Sequence, residues 1–270
     1  MTSNVGWPAD DVNGDARPRV PLVRAGRLRM PWGVGWGFTT RQGGVSNGPW
    51  GSLTLARAAG VPDAEIEENW ARVLGTLDPR LGPTDVALAS QVHGSRVVVV
   101  DAPTGPLGTV GEADALVTTA RGVALAVRVA DCVPVLLGSP RGVAAVHAGW
   151  RGVAQRVVPE ALRVLLEESG SRPGDVCAAV GPHISTDAFE VGPEVVEGIA
   201  ASGIAPELFA RRRGDRWVVD LGAAVEAQLR GLGVSSVYQA GACTTGPRFF
   251  SWRANGPETG RQAGVIVRFP

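Results

Sequence analysis

Two histidines and a cysteine at the ends of apolar runs are the residues of this chain best suited to chemistry. His93 stands in Gln91-Val92-His93-Gly94, and Cys132 in Ala130-Asp131-Cys132-Val133-Pro134. His147 ends a run that continues as Ala148-Gly149-Trp150-Arg151-Gly152. Each lies at the edge of an expected strand beside Gly, Pro or Asp, where layered α/β folds place their sites. Two imidazoles and a thiolate would give a catalytic zinc three ligands and leave its fourth position open. A helix beginning after His147 would add a positive dipole end, useful for an anion. A plainer reading stands beside this one, because cysteine is often buried as a small apolar group and a lone histidine often satisfies one backbone partner. Gaps of 39 and 15 residues match no compact zinc signature, so spacing alone leaves a shared site open.

Other motifs carry less. Gly44-Val45-Ser46-Asn47-Gly48 has the letters of a nucleophile elbow, but Gly43 precedes it and Pro49 follows, so a loop is expected. Gly33-Val34-Gly35-Trp36-Gly37 opens no helix and is no dinucleotide fingerprint. There is no H-E-x-x-H and no C-x-x-C, which removes the common zinc-protease and cytidine-deaminase signatures. The 8 tryptophans are scattered and read as core or loop anchors.

Composition excludes whole classes of function. The chain has no lysine, so all 26 basic residues are arginine. Schiff-base chemistry, the lysine of nucleotide-binding phosphate loops and a kinase lysine are therefore unavailable. Anions must be held by arginine, backbone N–H groups or a metal. The 26 acidic residues balance the basic ones, which argues against nucleic-acid or membrane partners. Three widely spaced cysteines build no disulfide framework. The N-terminal residues lack the apolar core of a signal peptide, and the most apolar stretch, 123–138, is broken by Arg128, Asp131 and Pro134. A reduced, cytoplasmic protein is the expectation.

The elements that must position these residues follow from periodicity and turn residues. With 270 residues, 37 glycines and 20 prolines, the chain is expected to hold a large core and many shaped loops. Residues 1–27 read as a flexible lead-in and 28–270 as one catalytic domain. A strand is expected within 28–40 and a helix over 63–77, where Ile66, Trp70, Val73 and Leu74 share a face. Strands follow over 86–92, 96–101, 115–118, 124–129, 133–137 and 143–147. A helix over 151–169 carries Pro159 as an expected kink. Strands at 176–180, 217–220 and 234–239 alternate with helices at 192–201 and 221–232, and strands near 249–252 and 265–269 close the chain. The fold class is therefore α/β, mixed α+β, a layered sandwich of mixed β-sheet with flanking helices.

Read together, several blocks resemble one family. These are Gly37-Phe38-Thr39-Thr40-Arg41-Gln42-Gly43-Gly44-Val45-Ser46, Gln91-Val92-His93-Gly94 and Ala113-Asp114-Ala115-Leu116-Val117-Thr118. They continue with Ala130-Asp131-Cys132-Val133-Pro134, Val146-His147-Ala148-Gly149-Trp150-Arg151-Gly152 and Val180-Gly181-Pro182-His183-Ile184. Phe189-Glu190-Val191-Gly192, Phe249-Phe250-Ser251-Trp252-Arg253 and Thr259-Gly260-Arg261 complete the series. The chain resembles the YfiH laccase-domain family over residues 28–270. Its members are described as purine nucleoside phosphorylases, as polyphenol oxidases and as peptidoglycan editing factors. The resemblance implies a YfiH-like layered fold and His93, Cys132 and His147 as zinc ligands. Where the family usually has Asn this chain has Thr54, and Ala254-Asn255 replaces a basic and an acidic residue.

The resemblance also implies phosphorolysis of adenosine, inosine, guanosine or methylthioadenosine to base and a ribose 1-phosphate, together with adenosine deamination. Deamination needs a metal that lowers the pKa of water and a carboxylate to carry the proton; Asp131 and Glu190 are the candidates. Phosphorolysis needs an anion site, for which Arg41 is the first choice and Arg151 and Arg253 follow. His183 and Ser251 are candidates for the substrate side. The expected partners are a nucleoside and phosphate, with no nucleic acid and no membrane, and the expected state is a monomer or weak homodimer. Copper is the alternative metal, as in a laccase-like polyphenol oxidase, although three histidines cannot supply a multi-copper cluster. A Cys132–His147 nucleophile–base pair acting on peptidoglycan precursors is a further alternative, and a metal-stabilised, non-catalytic protein of cell-wall assembly is another.

Overall fold

A computed structural model describes residues 18–24, 30 and 32–269. The first elements are β1 (Leu22–Val23), β2 (Val34–Thr39), α1 (Asp63–Leu77), β3 (Val86–Ala87), β4 (Val97–Val99) and β5 (Ala115–Thr118). Then come β6 (Ala124–Val129), β7 (Val133–Gly138), β8 (Val143–Ala148), α2 (Trp150–Ala154) and α3 (Val157–Ser169). They are followed by β9 (Cys177–Val180), β10 (Glu190–Val191), α4 (Pro193–Ala200), β11 (Ala210–Arg213) and β12 (Arg216–Val219). The chain ends with α5 (Leu221–Gly231), β13 (Ser236–Gln239), α6 (Trp252–Asn255) and β14 (Gln262–Arg268).

Alternation along the strands decides the architecture. In β6, Leu125 and Val127 face one core while Ala124 and Ala126 face another. In β7, Leu136 points into that first core while Val133, Val135 and Leu137 point the opposite way. Strands apolar on both faces must be covered on both. Sheet β1-β2-β14-β6-β3 therefore packs face to face on sheet β13-β9-β7-β8-β5-β4, with Phe38, Leu125, Leu136 and Ile266 between them. Outside the first sheet lies α1, whose Trp70, Ile66 and Val73 join Val265 and Val267 of β14. Outside the second lie α3, α4 and α5. A small antiparallel sheet, β10-β12-β11, flanks this layer. The mixed α/β sandwich expected from the sequence is the observed fold.

Several elements differ from expectation for local reasons. The helix over 151–169 is two helices: the chain breaks at Arg156, in a left-handed conformation (φ 63°), and Pro159 sits in the first turn of α3, where its missing N–H is harmless. The aromatic run 249–252 is not a strand, because the Ser251 hydroxyl accepts from Ala254 N and starts α6. The strand expected over 86–92 stops at Ala87; beyond it the N–H groups of Val92, His93 and Gly94 turn to the Asp114 carboxylate. Of the expected lead-in, residues 1–17 and 25–27 lie outside the described residues, whereas Leu22–Val23 pairs with Phe38–Thr39. No helix among the described residues is long and apolar enough to cross a membrane.

Candidate metal centre and cleft

The three ligand candidates arrive from three connections. His147 is on β8, paired with Pro134 of β7, and is buried. Cys132 stands in the β6–β7 turn, after Asp131 at φ 88°. His93 follows β3 in an exposed loop, at φ 60°. One ligand atom from each lies within 4.8 Å of the others. Asp114 organises this cluster from beneath. Its carboxylate accepts from His93 N at 2.9 Å and Gly94 N at 2.8 Å, and binds His147 Nδ1 at 2.8 Å. Its backbone carbonyl accepts from His147 N at 2.7 Å. Asp114 lies inside one of the family blocks, but nothing in the spacing of the sequence ties residue 114 to residues 93 and 147.

The donor chemistry fits a metal. With Nδ1 bound to Asp114, His147 keeps Nε2 for the cluster, where loss of its proton would free the lone pair that a metal takes, the arrangement that orients metal-binding imidazoles. Two nitrogens and a sulfur suit zinc and also copper. Gly149 leaves the space: a Cβ there would lie 2.7 Å from His93 Nδ1 and 3.1 Å from Cys132 Sγ. Burial opposes ionisation of Cys132, yet the His147 charge and hydrogen bonds from His147 and His93 bring its thiol down to about 6. Burial likewise opposes charge on His147, and the Cys132 thiolate and Asp114 push it up to about 9. Asp114 itself stays below the usual carboxyl range, because hydrogen bonds from His147 and the backbone outweigh its burial.

The cluster opens on a cleft of about 730 Å³. Trp150, Phe189, Ile184, Leu221 and Trp252 supply apolar and aromatic surface, and Arg128, Arg151, Arg253 and Arg261 supply charge. Arg151 stacks over Trp150 and Arg253 over Phe189, with Arg253 also donating to the Ala188 and Glu190 carbonyls. Asp131 lines the cleft with its carboxylate held by the Thr244 hydroxyl at 2.6 Å and Arg253 N at 2.7 Å.

Other expected site residues lie elsewhere. Arg41 donates to Gly51 O and stacks over Phe250, outside the cleft lining. Glu190 faces Arg213 and Arg216 at 3.9 Å, also outside it. His183 is buried beside Gly222, with Nδ1 on Gly181 O at 2.8 Å, and burial lowers its pKa. Ser251 is buried and caps α6. The helix after His147 is α2, only residues 150–154, too short to add much dipole. Gln91, Arg128 and Arg261 also line the cleft, and only their tertiary placement marks them as site residues.

Similarity to known proteins extends over nearly the whole chain. The family described as multi-copper polyphenol oxidoreductase laccase matches residues 35–269. A Deinococcus radiodurans protein named purine nucleoside phosphorylase is 39% identical over 251 residues, covering 92% of this chain and 93% of its own. One of the same name from Streptomyces coelicolor is 40% identical over 237 residues, covering 87% and 95%. Among solved structures, YlmD from Geobacillus stearothermophilus superposes with a TM-score of 0.83 at 29% identity, covering 93% of this chain and all of the other. YfiH from Bacillus licheniformis gives 0.81 at 27%, covering 87% and 92%. With nearly the whole chain matched by the family and by these relatives, the protein belongs to the YfiH-like laccase-domain family.

Proposed function

We propose that this protein is a zinc-dependent purine nucleoside phosphorylase that also deaminates adenosine. The observation that carries the reading is a His93–Cys132–His147 cluster opening on a cleft lined by both aromatic rings and arginines. Aromatic faces suit a purine and its ribose; guanidinium forks suit phosphate. The names of the relatives support the same reaction class. In phosphorolysis a phosphate oxygen bonds to C1′ of the ribose. The bond from C1′ to the base nitrogen breaks, its electron pair leaves with the base, and the base takes up a proton. Arginines hold the attacking dianion, and Trp150, Phe189 and Trp252 keep the purine in line with it. Each Asp131 oxygen retains a second lone pair beyond its one donor, so Asp131 is the proton carrier within reach of the cluster. When bound, zinc supplies Lewis acidity and lowers the pKa of water, the requirement for deamination.

Zinc is preferred to copper for a reason of numbers. Of the three histidines, two are in the cluster and His183 is tied to Gly181, so no imidazoles remain for a second copper centre. The Cys132–His147 contact favours one second reading, a thiolate nucleophile acting on peptidoglycan precursors. A single preparation separates these readings. Its metal content is measured by mass spectrometry, and adenosine is then incubated with and without phosphate. Adenine and ribose 1-phosphate formed only with phosphate, and inosine formed without it, are the expected products. Full zinc occupancy with adenosine, inosine and methylthioadenosine all untouched defeats the proposal.

A further inference from the structure

The cleft holds two guanidiniums, Arg128 and Arg261, that make no ion pair with a carboxylate among the described residues. Arg128 leaves β6 and Arg261 enters β14 at the same end of the sheet, where Val129 pairs with Gln262. Both are half-buried. Arg128 donates Nη2 to Ala89 O, and Arg261 donates Nη1 to Thr259 O and Gly260 O. No further side-chain N–H of either arginine meets an acceptor among the described residues, and both residues line the cleft. Burial disfavours each charge, and the two repel one another. Like charges held together away from water are costly unless an anion joins them.

Their surroundings fix them there. Gln91 clamps the backbone of Arg128 with both ends of its amide, at 2.7 and 2.8 Å. Arg261 N donates to the Thr54 hydroxyl at 3.2 Å, which holds this arginine's backbone at the start of β14. Arg261 is close enough to Cys132 and Asp131 to feel their charges, which places it beside the metal cluster. Of the other cleft arginines, Arg57 is paired with Asp63, Arg151 stacks on Trp150 and Arg253 is tied to two carbonyls, while Arg261 itself lies over the Trp252 ring.

We infer that Arg128 and Arg261 form the subsite for the inorganic phosphate co-substrate. This rests on the phosphorolysis reading above. Two planar forks converging from neighbouring strands match a tetrahedral dianion, with several charge-assisted hydrogen bonds available from each. The ligand chemistry is shared with the phosphate of a nucleotide, so the test carries an arm for each source.

The metal-loaded full chain, Arg261→Gln, Arg261→Lys and Arg128→Lys are titrated with inorganic phosphate by calorimetry, and phosphate and adenosine KM values are measured on each. Circular dichroism checks folding; should Arg128→Lys misfold, the Arg261 pair carries the test. Loss of the forks is expected to weaken phosphate binding by about tenfold or more. Phosphate KM rises in parallel while adenosine KM moves less than about threefold. Nucleoside cleavage with an unchanged phosphate KM in the variants overturns the subsite and leaves phosphorolysis standing. Phosphate binding lost in the variants, with no nucleoside cleaved by the wild type, keeps the subsite and defeats phosphorolysis. Adenosine monophosphate binding more than about tenfold tighter than phosphate, and lost in the same variants, reassigns the forks to an ester and overturns the co-substrate assignment.

Discussion

The Asp114 carboxylate lies 2.8 Å from His147 Nδ1, and the same carboxylate accepts the backbone N–H of His93. One buried acid thus sets the ring of one ligand and the loop of another. Asp114→Asn is expected to lower metal affinity by about 10–100-fold, because the amide holds the imidazole less firmly and removes the charge that raises its basicity. Competition with a chromophoric chelator measures this. Affinity equal to wild type would show that the cluster does not depend on Asp114.

Gly149 is needed for space rather than for backbone freedom. A methyl group there would lie 2.7 Å from His93 Nδ1. Gly149→Ala is expected to reduce bound metal at least about tenfold in affinity while shifting Tm only a few degrees. Calorimetric metal titration alongside a thermal melt separates the two effects.

Metal removal should change the chemistry of one cysteine only. In the metal-loaded protein Cys132 is expected to resist iodoacetamide; after chelation it becomes the fastest-reacting thiol, since His147 and His93 favour its thiolate. Burial raises the Cys177 thiol, so that residue stays slow in both states. Peptide mass spectrometry reads each site. Cys132 labelled equally with and without metal would count against its being a ligand.

His183 makes stability depend on pH. Burial lowers its pKa below the ordinary 6.5, so below that value the unfolded chain binds a proton that the folded protein refuses. Stability therefore falls as pH drops from 6.5 toward the folded-state pKa and levels off below it. Urea titrations across this range are expected to show a shallower dependence in His183→Gln than in wild type. Parallel curves would place the titrating group elsewhere.

The interface between the two large sheets should be the costliest place for a cavity. Leu136 is fully buried there against residues of the facing sheet. Leu136→Ala is expected to destabilise the protein by about 2–5 kcal/mol, read from a lower urea midpoint with an unchanged slope.

Local patterning in the sequence determined most element identities. Helix α1 follows from the shared face of Ile66, Trp70, Val73 and Leu74, and β5 to β8 follow from β-branched runs punctuated by Gly, Pro and Asp. The absence of lysine also left arginine, backbone N–H groups or a metal to meet an anion. Patterning failed where a side chain captured the backbone: Ser251 turned an aromatic run into α6, and Asp114 drew residues 92–94 out of a strand. Residue type named His93, Cys132 and His147, but only the family resemblance joined them, because separations of 39 and 15 positions say nothing about distance. What the tertiary structure alone decided was which distant residues share a site. Antiparallel pairing of β6 with β14 sets Arg128 beside Arg261, and pairing of β5 with β8 sets Asp114 beneath His147. Non-local hydrogen bonds and the burial of two sheet faces fix those neighbours, and neither is written in the order of the residues.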